Sequence, residues 1–337
     1  MMSRVSVGRR VKSLAQIAFP ASLYARGSKV YRDGLIRAGR WSASLKYGEP
    51  EIILYFGIAP GDDLLCTTVL RELRKRGQAK LWMLSNYPEL FQGMNDATAV
   101  LPIRCPLSEA LELKRRKLRY CSHDTEADRS DPPKHHIIAE LCKEAGITGE
   151  VALRPYLKLT PREESVGTFA KGKIVIQSSS LGCLVPMKNK QWDPDRFQVV
   201  VDELHNEFDF IQIGSERDPL LHRTADFRGQ TSIREAAAIL KHARLYIGSV
   251  GFLMHLARAS DCPSVIIYGG REAPWQSGYI ANANLYSALP CSPCWRYNEC
   301  DYDRRCMSDI KAEDVVKTVH SHLNRPHEPL AVETTTI

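Results

Sequence analysis

The chain has 337 residues, 44% of them hydrophobic and 25% charged, enough for two ordinary domains with cores of their own. Its net charge of +7 sits at one end: residues 1–50 hold ten Lys or Arg against Asp33 and Glu49, a balance of +8. The remainder is close to neutral, which argues against a nucleic-acid partner, and no apolar run approaches the length that spans a bilayer.

The leader mixes Arg9, Arg10 and Lys12 with Leu14, Ile17, Phe19, Leu23 and Tyr24. It reads either as a weakly amphipathic helix on an anionic membrane surface or as a solvated segment. Pro20 and Gly27 interrupt any long helix, and the apolar stretch from Leu14 to Phe19 is too short for a secretory signal. The expectation is a cytoplasmic protein, peripheral on the inner face of the plasma membrane if the leader binds lipid.

The body opens with Ile52–Phe56, an apolar run bounded by Pro50 and Gly57 that suits a buried parallel strand. A helix follows, with Leu64, Leu65, Val69, Leu70 and Leu73 on its apolar face. Arg71, Arg74, Lys75 and Arg76 gather toward its end before Gly77 stops it. Asp62 and Asp63 stand at the strand-to-helix turn, where a carboxylate either takes a proton or caps the helix; Asp63 reads as the cap. The runs KLWML and AVLPI add two strands, giving half of a doubly wound sheet. Residues 106–170 are polar, show no clear strand and read as a loop or lid, apart from a helix in HHIIAELCKEAGI that ends at Gly146. YLKLTPREE has the look of a linker, which places the domain boundary near residue 165.

The second half restarts the alternation. KIVIQSS is a strand, DPDRFQVVVDELHNEF a helix opened by Asp193 and Pro194, and FDFIQIGS a strand; SIREAAAILKHA, LYIGS, FLMHLARAS and SVIIYGG continue it. Two Rossmann-like halves facing a cleft are implied, with ligands at the carboxyl ends of the strands. Neither half carries G-x-G-x-x-G after its first strand, which argues against a dinucleotide oxidoreductase. His255 lies one turn into a helix after a Gly-bearing loop, where backbone N–H groups favour phosphate; it reads equally as a satisfied core histidine.

Ten cysteines are present. Cys66, Cys105, Cys121, Cys142, Cys183 and Cys262 are scattered through apparent core elements, which argues against secretion, while Cys291, Cys294, Cys300 and Cys306 cluster in PCSPCWRYNECDYDRRCM. That cluster holds a structural zinc, forms one or two local disulfides, or packs as free thiols. No metal is assigned to the site.

These motifs, in this order, resemble glycosyltransferase family 9, the family of the lipopolysaccharide heptosyltransferases, over about residues 51–323. GDDLLCTTVLRELR resembles the family's Gly-Asp loop and Thr-rich helix start, KNKQWDPDRF its Lys-x-Trp-Pro segment, GSERD its nucleoside-contacting strand end, and MHLARASDCPSVIIYGG its Met-His-Leu-Ala helix. The cysteine cluster and the Cys306–Met307 pair also occur in many members. The resemblance implies Asp62 as catalytic base, Lys190 on the donor phosphate, Glu216 on the nucleoside and His255 in the donor site. Two segments depart from the pattern. Val250, Gly251 and Phe252 stand where an Asp, a Ser or Thr and a Gly are usual, so the expected acid is missing, although Gly251 still lets the backbone approach a pyrophosphate. Asp193 stands where Pro is common.

The expected architecture is α/β, of the GT-B type, with two Rossmann-like doubly wound domains facing a cleft. A basic extension occupies residues 1–50, an acceptor domain 51–165, a nucleotide-sugar donor domain 166–325, and a disordered tail 326–337. The resemblance implies an inverting glycosyltransferase that needs no cofactor and moves a sugar from a nucleotide-sugar donor, ADP-heptose or a relative, to a lipopolysaccharide or other surface-glycan precursor. Asp62 takes the acceptor proton, while Lys190 and the backbone around Gly251 and around Ser178, Ser179 and Ser180 hold the departing diphosphate, with His255 beside them. The alternatives are a GT-B nucleotide-sugar epimerase, which needs acids in the donor cleft, and a degenerate nucleotide-binding scaffold, motivated by Val250 and Phe252.

Overall fold

The computed structural model describes residues 43–44, 46–57, 59–105, 107–121, 132–324 and 330–337. Most of the basic leader, residues 1–42, and the membrane-surface expectation attached to it lie outside them.

The first unit is built on β1 (Ile52–Tyr55), α1 (Pro60–Lys75), β2 (Leu81–Leu84), β3 (Ala99–Leu101), α2 (Glu109–Glu112), β4 (Arg115–Lys117) and α3 (Ile137–Glu144). Its four-stranded sheet runs β3-β2-β1-β4, parallel throughout. Helix α1 forms as its apolar spacing demands: Leu64, Leu65, Val69, Leu70 and Leu73 are buried against the sheet, and the basic last turn gives way to Gly77 at φ +90°, a left-handed stop suited to glycine. Strand β4 lies within the segment read as a loop or lid. It was hidden because it is an edge strand of three cations, Arg115, Arg116 and Lys117, and Arg115 lays its guanidinium over the Tyr55 ring at 4.2 Å instead of entering the core.

After β5 (Glu150–Ala152), the chain crosses to the second unit and forms α4 (Pro161–Val166), β6 (Ile174–Ile176), α5 (Pro194–Leu204), β7 (Phe210–Gln212), β8 (Thr224–Asp226), α6 (Ile233–His242), β9 (Leu245–Ser249), α7 (Phe252–Ala259), β10 (Ser264–Gly269), α8 (Pro274–Ser277), β11 (Asn282–Tyr286), α9 (Arg305–Ser308) and α10 (Ala312–Leu323). The six-stranded sheet runs β11-β10-β9-β6-β7-β8, again parallel. Its central strands β6, β9 and β10 are buried on both faces and are the apolar runs visible in sequence, whereas the polar edge strands β8 and β11 gave no such signal. Asp193 caps α5 as expected, its side chain accepting from the Asp195 N–H at 3.0 Å.

A boundary at residue 165 would cut α4, which belongs to the second unit. Gly167, just past its end, lies so close to α6 that a Cβ there would stand 2.1 Å from the Ala238 carbonyl oxygen. Arg234 of α6 makes a two-pronged ion pair with Glu163 at 2.5 and 2.7 Å, and also donates to the carbonyls of Glu89 at 2.8 Å and Lys158 at 2.7 Å. The division therefore falls in residues 153–160.

The tail expected to be disordered is ordered where it is described. A last strand, β12 (Thr334–Thr336), pairs antiparallel with β5, and Ile337 exchanges backbone hydrogen bonds with Gly149 at 2.9 and 3.1 Å. Arg258 of α7, 1% exposed, donates to the Ala331 carbonyl at 2.9 Å and pairs with Asp261 at the same distance, so the second unit grips the segment on its way back to the first. Three threonines carry no period-2 apolar pattern, which is why β12 was invisible in sequence.

Candidate active site

A cleft of about 630 Å³ separates the two units, lined from one side by Gly61, Asp62 and Tyr120 and from the other by Lys190, His255 and Glu272. It forms because the amino ends of α1 and α7 meet: Gly61 presents its Cα toward Phe252 and His255, leaving room for ordinary contact between the helices.

On the first side, α1 begins at Pro60 after the extended Ala59, so the two aspartates lie in its first turn and neither caps it. The reading of Asp63 as a cap is therefore replaced: it is fully buried, its Oδ2 accepts from Ser85 Oγ at 2.5 Å, and its Oδ1 has no partner among the described residues. Burial pushes its carboxyl up to about 7, with Asp62 adding to the rise. Asp62 faces the cleft and accepts from the Tyr120 hydroxyl at 3.2 Å. Burial raises it to about 6; the Tyr120 hydrogen bond and the Lys190 charge work against the rise, and Glu272 adds to it. Tyr120 is held by stacking on Phe56 at 5.3 Å and by a tilted contact with Trp295 of the second unit at 6.2 Å.

On the second side, Lys190 ends a 3₁₀ turn, Lys188–Lys190, and forms an ion pair with Glu272. The same carboxylate accepts from Arg271 at 2.6 Å and from Ser277 at 2.7 Å. Burial alone would push Glu272 up, but Lys190 and Arg271 outweigh it and hold the carboxyl at about 2. Arg271 lies over the Trp295 ring at 4.7 Å. His255 is buried with Nδ1 2.6 Å from the Tyr279 hydroxyl, and burial drives its pKa down to about 3, so the ring is neutral. His136, at the start of α3, donates from Nε2 to the Gly278 carbonyl at 2.9 Å, tying the units together beneath the cleft, and burial lowers it to about 4. Gly251 is extended at φ 166°, and a Cβ there would meet nothing within 4 Å.

Residues 154–302 match the family model for glycosyltransferase family 9 (heptosyltransferase). The match is confined to that segment, less than half of the chain. A curated relative, lipopolysaccharide heptosyltransferase 3 of Escherichia coli K12, is 28% identical over 149 residues, 38% of this chain and 41% of that protein. The chain thus spans about two-fifths of that relative's length in the match. Among solved structures, the iron-containing dodecameric glycosyltransferase TibC of enterotoxigenic E. coli superposes with a TM-score of 0.66 at 16% identity, covering 81% of this chain and 76% of TibC. Its complex with ADP-D-β-D-heptose gives a TM-score of 0.61 at 14% identity and the same coverage. E. coli ADP-heptose lipopolysaccharide heptosyltransferase II gives 0.58 at 15% identity, covering 81% of this chain and 98% of that one. The two-unit α/β architecture is the GT-B fold of these structures.

The cleft brings only some of the sequence-predicted residues together. Lys190, Gly251 and His255 line the cleft opposite Asp62; Glu216 does not, being exposed beyond the end of β7. Its neighbour Asp218, 2% exposed and also within GSERD, lines the cleft in its place and accepts from the Ser215 N–H at 3.1 Å. Ser178 is buried, donating to the Pro219 carbonyl at 2.6 Å, and Ser179 donates to Gln191 at the same distance; Ser180 is the serine at the cleft wall. Sequence reasoning missed Tyr120, Glu272 and Trp295. Trp295 lies in the cysteine cluster, and all ten cysteines are free thiols. Cys183, expected in the core, is exposed on the cleft loop. Burial raises Cys294, and raises Cys306 to about 11, with the other cluster thiols adding to both shifts. No group of three or more His, Cys, Asp or Glu among the described residues is arranged to hold a metal ion, and no described helix is long and apolar enough to cross a membrane.

Proposed function

We propose that the protein is an inverting glycosyltransferase that moves a sugar from a nucleotide-sugar donor, ADP-heptose or a relative, to a lipopolysaccharide or other surface-glycan precursor. The observation that carries this reading is that one carboxylate poised near neutrality, Asp62, shares a cleft with a lysine and a helix start supplied by the other unit. The acceptor oxygen attacks the anomeric carbon as Asp62 takes its proton, and the bond from that carbon to the diphosphate breaks with its electron pair on the phosphate. Lys190 and the N–H groups opening α7 hold the charge that develops. His255, being neutral, orients rather than attracts. Donor identity draws on TibC, whose complex contains ADP-D-β-D-heptose, and acceptor class on the curated heptosyltransferase 3.

An epimerase needs a donor-side acid that changes protonation. Glu272 stands on that side but is held ionised by two cations, which leaves Asp218, raised by burial, as the one acid there among the described residues that such a reaction could use. A thermal-shift panel of ADP, GDP, UDP and CDP and their sugars, repeated with Lys190→Ala, tests the reading. Stabilisation by one nucleotide family that weakens in the variant supports it; a flat response favours a scaffold without catalysis. For the leader we propose contact with anionic lipid through its +8 charge. Sedimentation with anionic vesicles should be lost at high salt and on deletion of residues 1–42.

A further inference from the structure

We propose that Glu272 is a positioning residue that competes with the nucleoside diphosphate for Lys190, and so sets how readily the spent donor leaves. This rests on the reading of the cleft as a nucleotide-sugar site.

Glu272 is 4% exposed yet lies at the cleft wall, with Lys190, Arg271 and Ser277 all donating to its two oxygens. The two cations are held differently. Arg271 is 3% exposed, lies over Trp295 at 4.7 Å and Tyr297 at 5.2 Å, and donates from Nε to the Arg296 carbonyl at 3.1 Å, so it stays on Glu272 whatever fills the cleft. Lys190 reaches Glu272 through a flexible four-carbon stem from a turn that is itself anchored. Asn189, 4% exposed, donates its backbone N–H to the Tyr297 carbonyl at 3.0 Å and its side chain to the Glu299 carbonyl at 2.8 Å. The base of the lysine is fixed and its ammonium can swing.

Charge accounting makes the exchange feasible. One carboxylate faces two cations, so if Lys190 turns to a diphosphate, Arg271 and Ser277 still satisfy Glu272 and no buried charge is left without a partner. The carboxylate then stands beside the bound diphosphate and repels it. That repulsion acts most on the product: once the sugar has left, the freed terminal phosphate carries roughly one more negative charge near neutral pH. A lysine with no rival would hold the product more tightly than the donor, and Glu272 counters that bias.

The test is titration calorimetry of ADP, GDP, UDP and CDP on the full chain, with turnover and product-release rates for the best binder. Glu272→Gln should tighten nucleoside diphosphate binding about tenfold, slow its release and lower kcat, an outcome that structural damage cannot imitate. In a Lys190→Ala background the same change should shift binding less than about twofold, because the competed-for cation is gone. Glu272→Asp, which keeps the buried charge but draws it back, should tighten binding by about twofold to fivefold and carries the test if the glutamine variant does not fold. Unchanged or weaker binding by a folded Glu272→Gln, alongside loss of binding in Lys190→Ala, would overturn this proposal and leave the glycosyltransferase reading standing. A wild-type chain that binds none of the four would overturn both.

Discussion

Replacing Asp62 with Asn separates chemistry from stability, because the structure predicts opposite signs for the two. As general base, the carboxylate should contribute about 10²–10⁴-fold to turnover, so Asp62→Asn should lower kcat by that factor, about 3–5 kcal/mol of barrier. With its pKa at about 6, the wild type keeps roughly nine-tenths of the base ionised at pH 7 and about one-tenth at pH 5, and kcat/KM should fall about tenfold between them. Stability runs the other way. The folded pKa is raised from 3.8 to about 6, so the stabilisation associated with the protonated form is complete below pH 3.8 and lost as pH rises through 6. Asn, always neutral, escapes that loss. The shift corresponds to at most about 3 kcal/mol, and on the order of 1–3 kcal/mol is expected once neighbouring Asp63 relaxes. The assay is donor turnover between pH 5 and 8 beside thermal unfolding of both proteins at pH 5 and 8. A variant with a higher melting temperature at pH 8 and almost no turnover supports the assignment. Retained turnover with an unchanged acid limb would refute it, since some other group would then be taking the proton.

Tyr120→Phe removes a hydrogen bond that favours ionised Asp62, so the acid limb of the rate profile should move to higher pH with little change in the alkaline plateau. Asp63→Asn keeps an acceptor for Ser85 and abolishes a carboxylate raised to about 7. Its stability gain over wild type should be absent near pH 4 and reach on the order of 2–4 kcal/mol above pH 7, read by denaturant unfolding. The buried His136 has a folded pKa near 4 against 6.5 unfolded; its contribution is present above pH 6.5 and lost as pH falls toward 4. His136→Gln should therefore flatten the acid loss of stability by on the order of 1–3 kcal/mol, and a pH-unfolding curve parallel to wild type would count against the buried neutral ring. Gly251→Val would place a branched side chain in the open space at the start of α7, and calorimetry should show nucleoside diphosphate affinity falling at least about tenfold with the melting temperature nearly unchanged.

What the sequence made legible follows burial. Strands β6, β9 and β10 are apolar on both faces and could be read as runs, and α1 declared itself by its apolar spacing and its stop at Gly77. Strands β4, β8 and β12 lie at sheet edges or in the small antiparallel pair, where pairing supplies the backbone hydrogen bonds and side chains face water, so their composition carried no strand signal. The site divides in the same way. Asp62 and Lys190 were singled out because the motifs around them resemble those of a known family, whereas Tyr120 and Glu272 lie on loops of different units and meet those two residues only in the folded chain. Asp218 was within the quoted motif two places after Glu216, and only the direction in which the loop turns after β7 tells which acid points inward. Trp295 was obscured by the cysteines around it, whose spacing left zinc, disulfides and packed free thiols all open and drew the reading away from the aromatic face that their loop delivers to the cleft.

The chain passes between the units twice, once through residues 153–160 on the way out and once on the way back to β12. With His136 and Arg234 adding side-chain ties to these two passages of chain, any change in the spacing of Asp62 and Lys190 has to be accommodated at several links together instead of one.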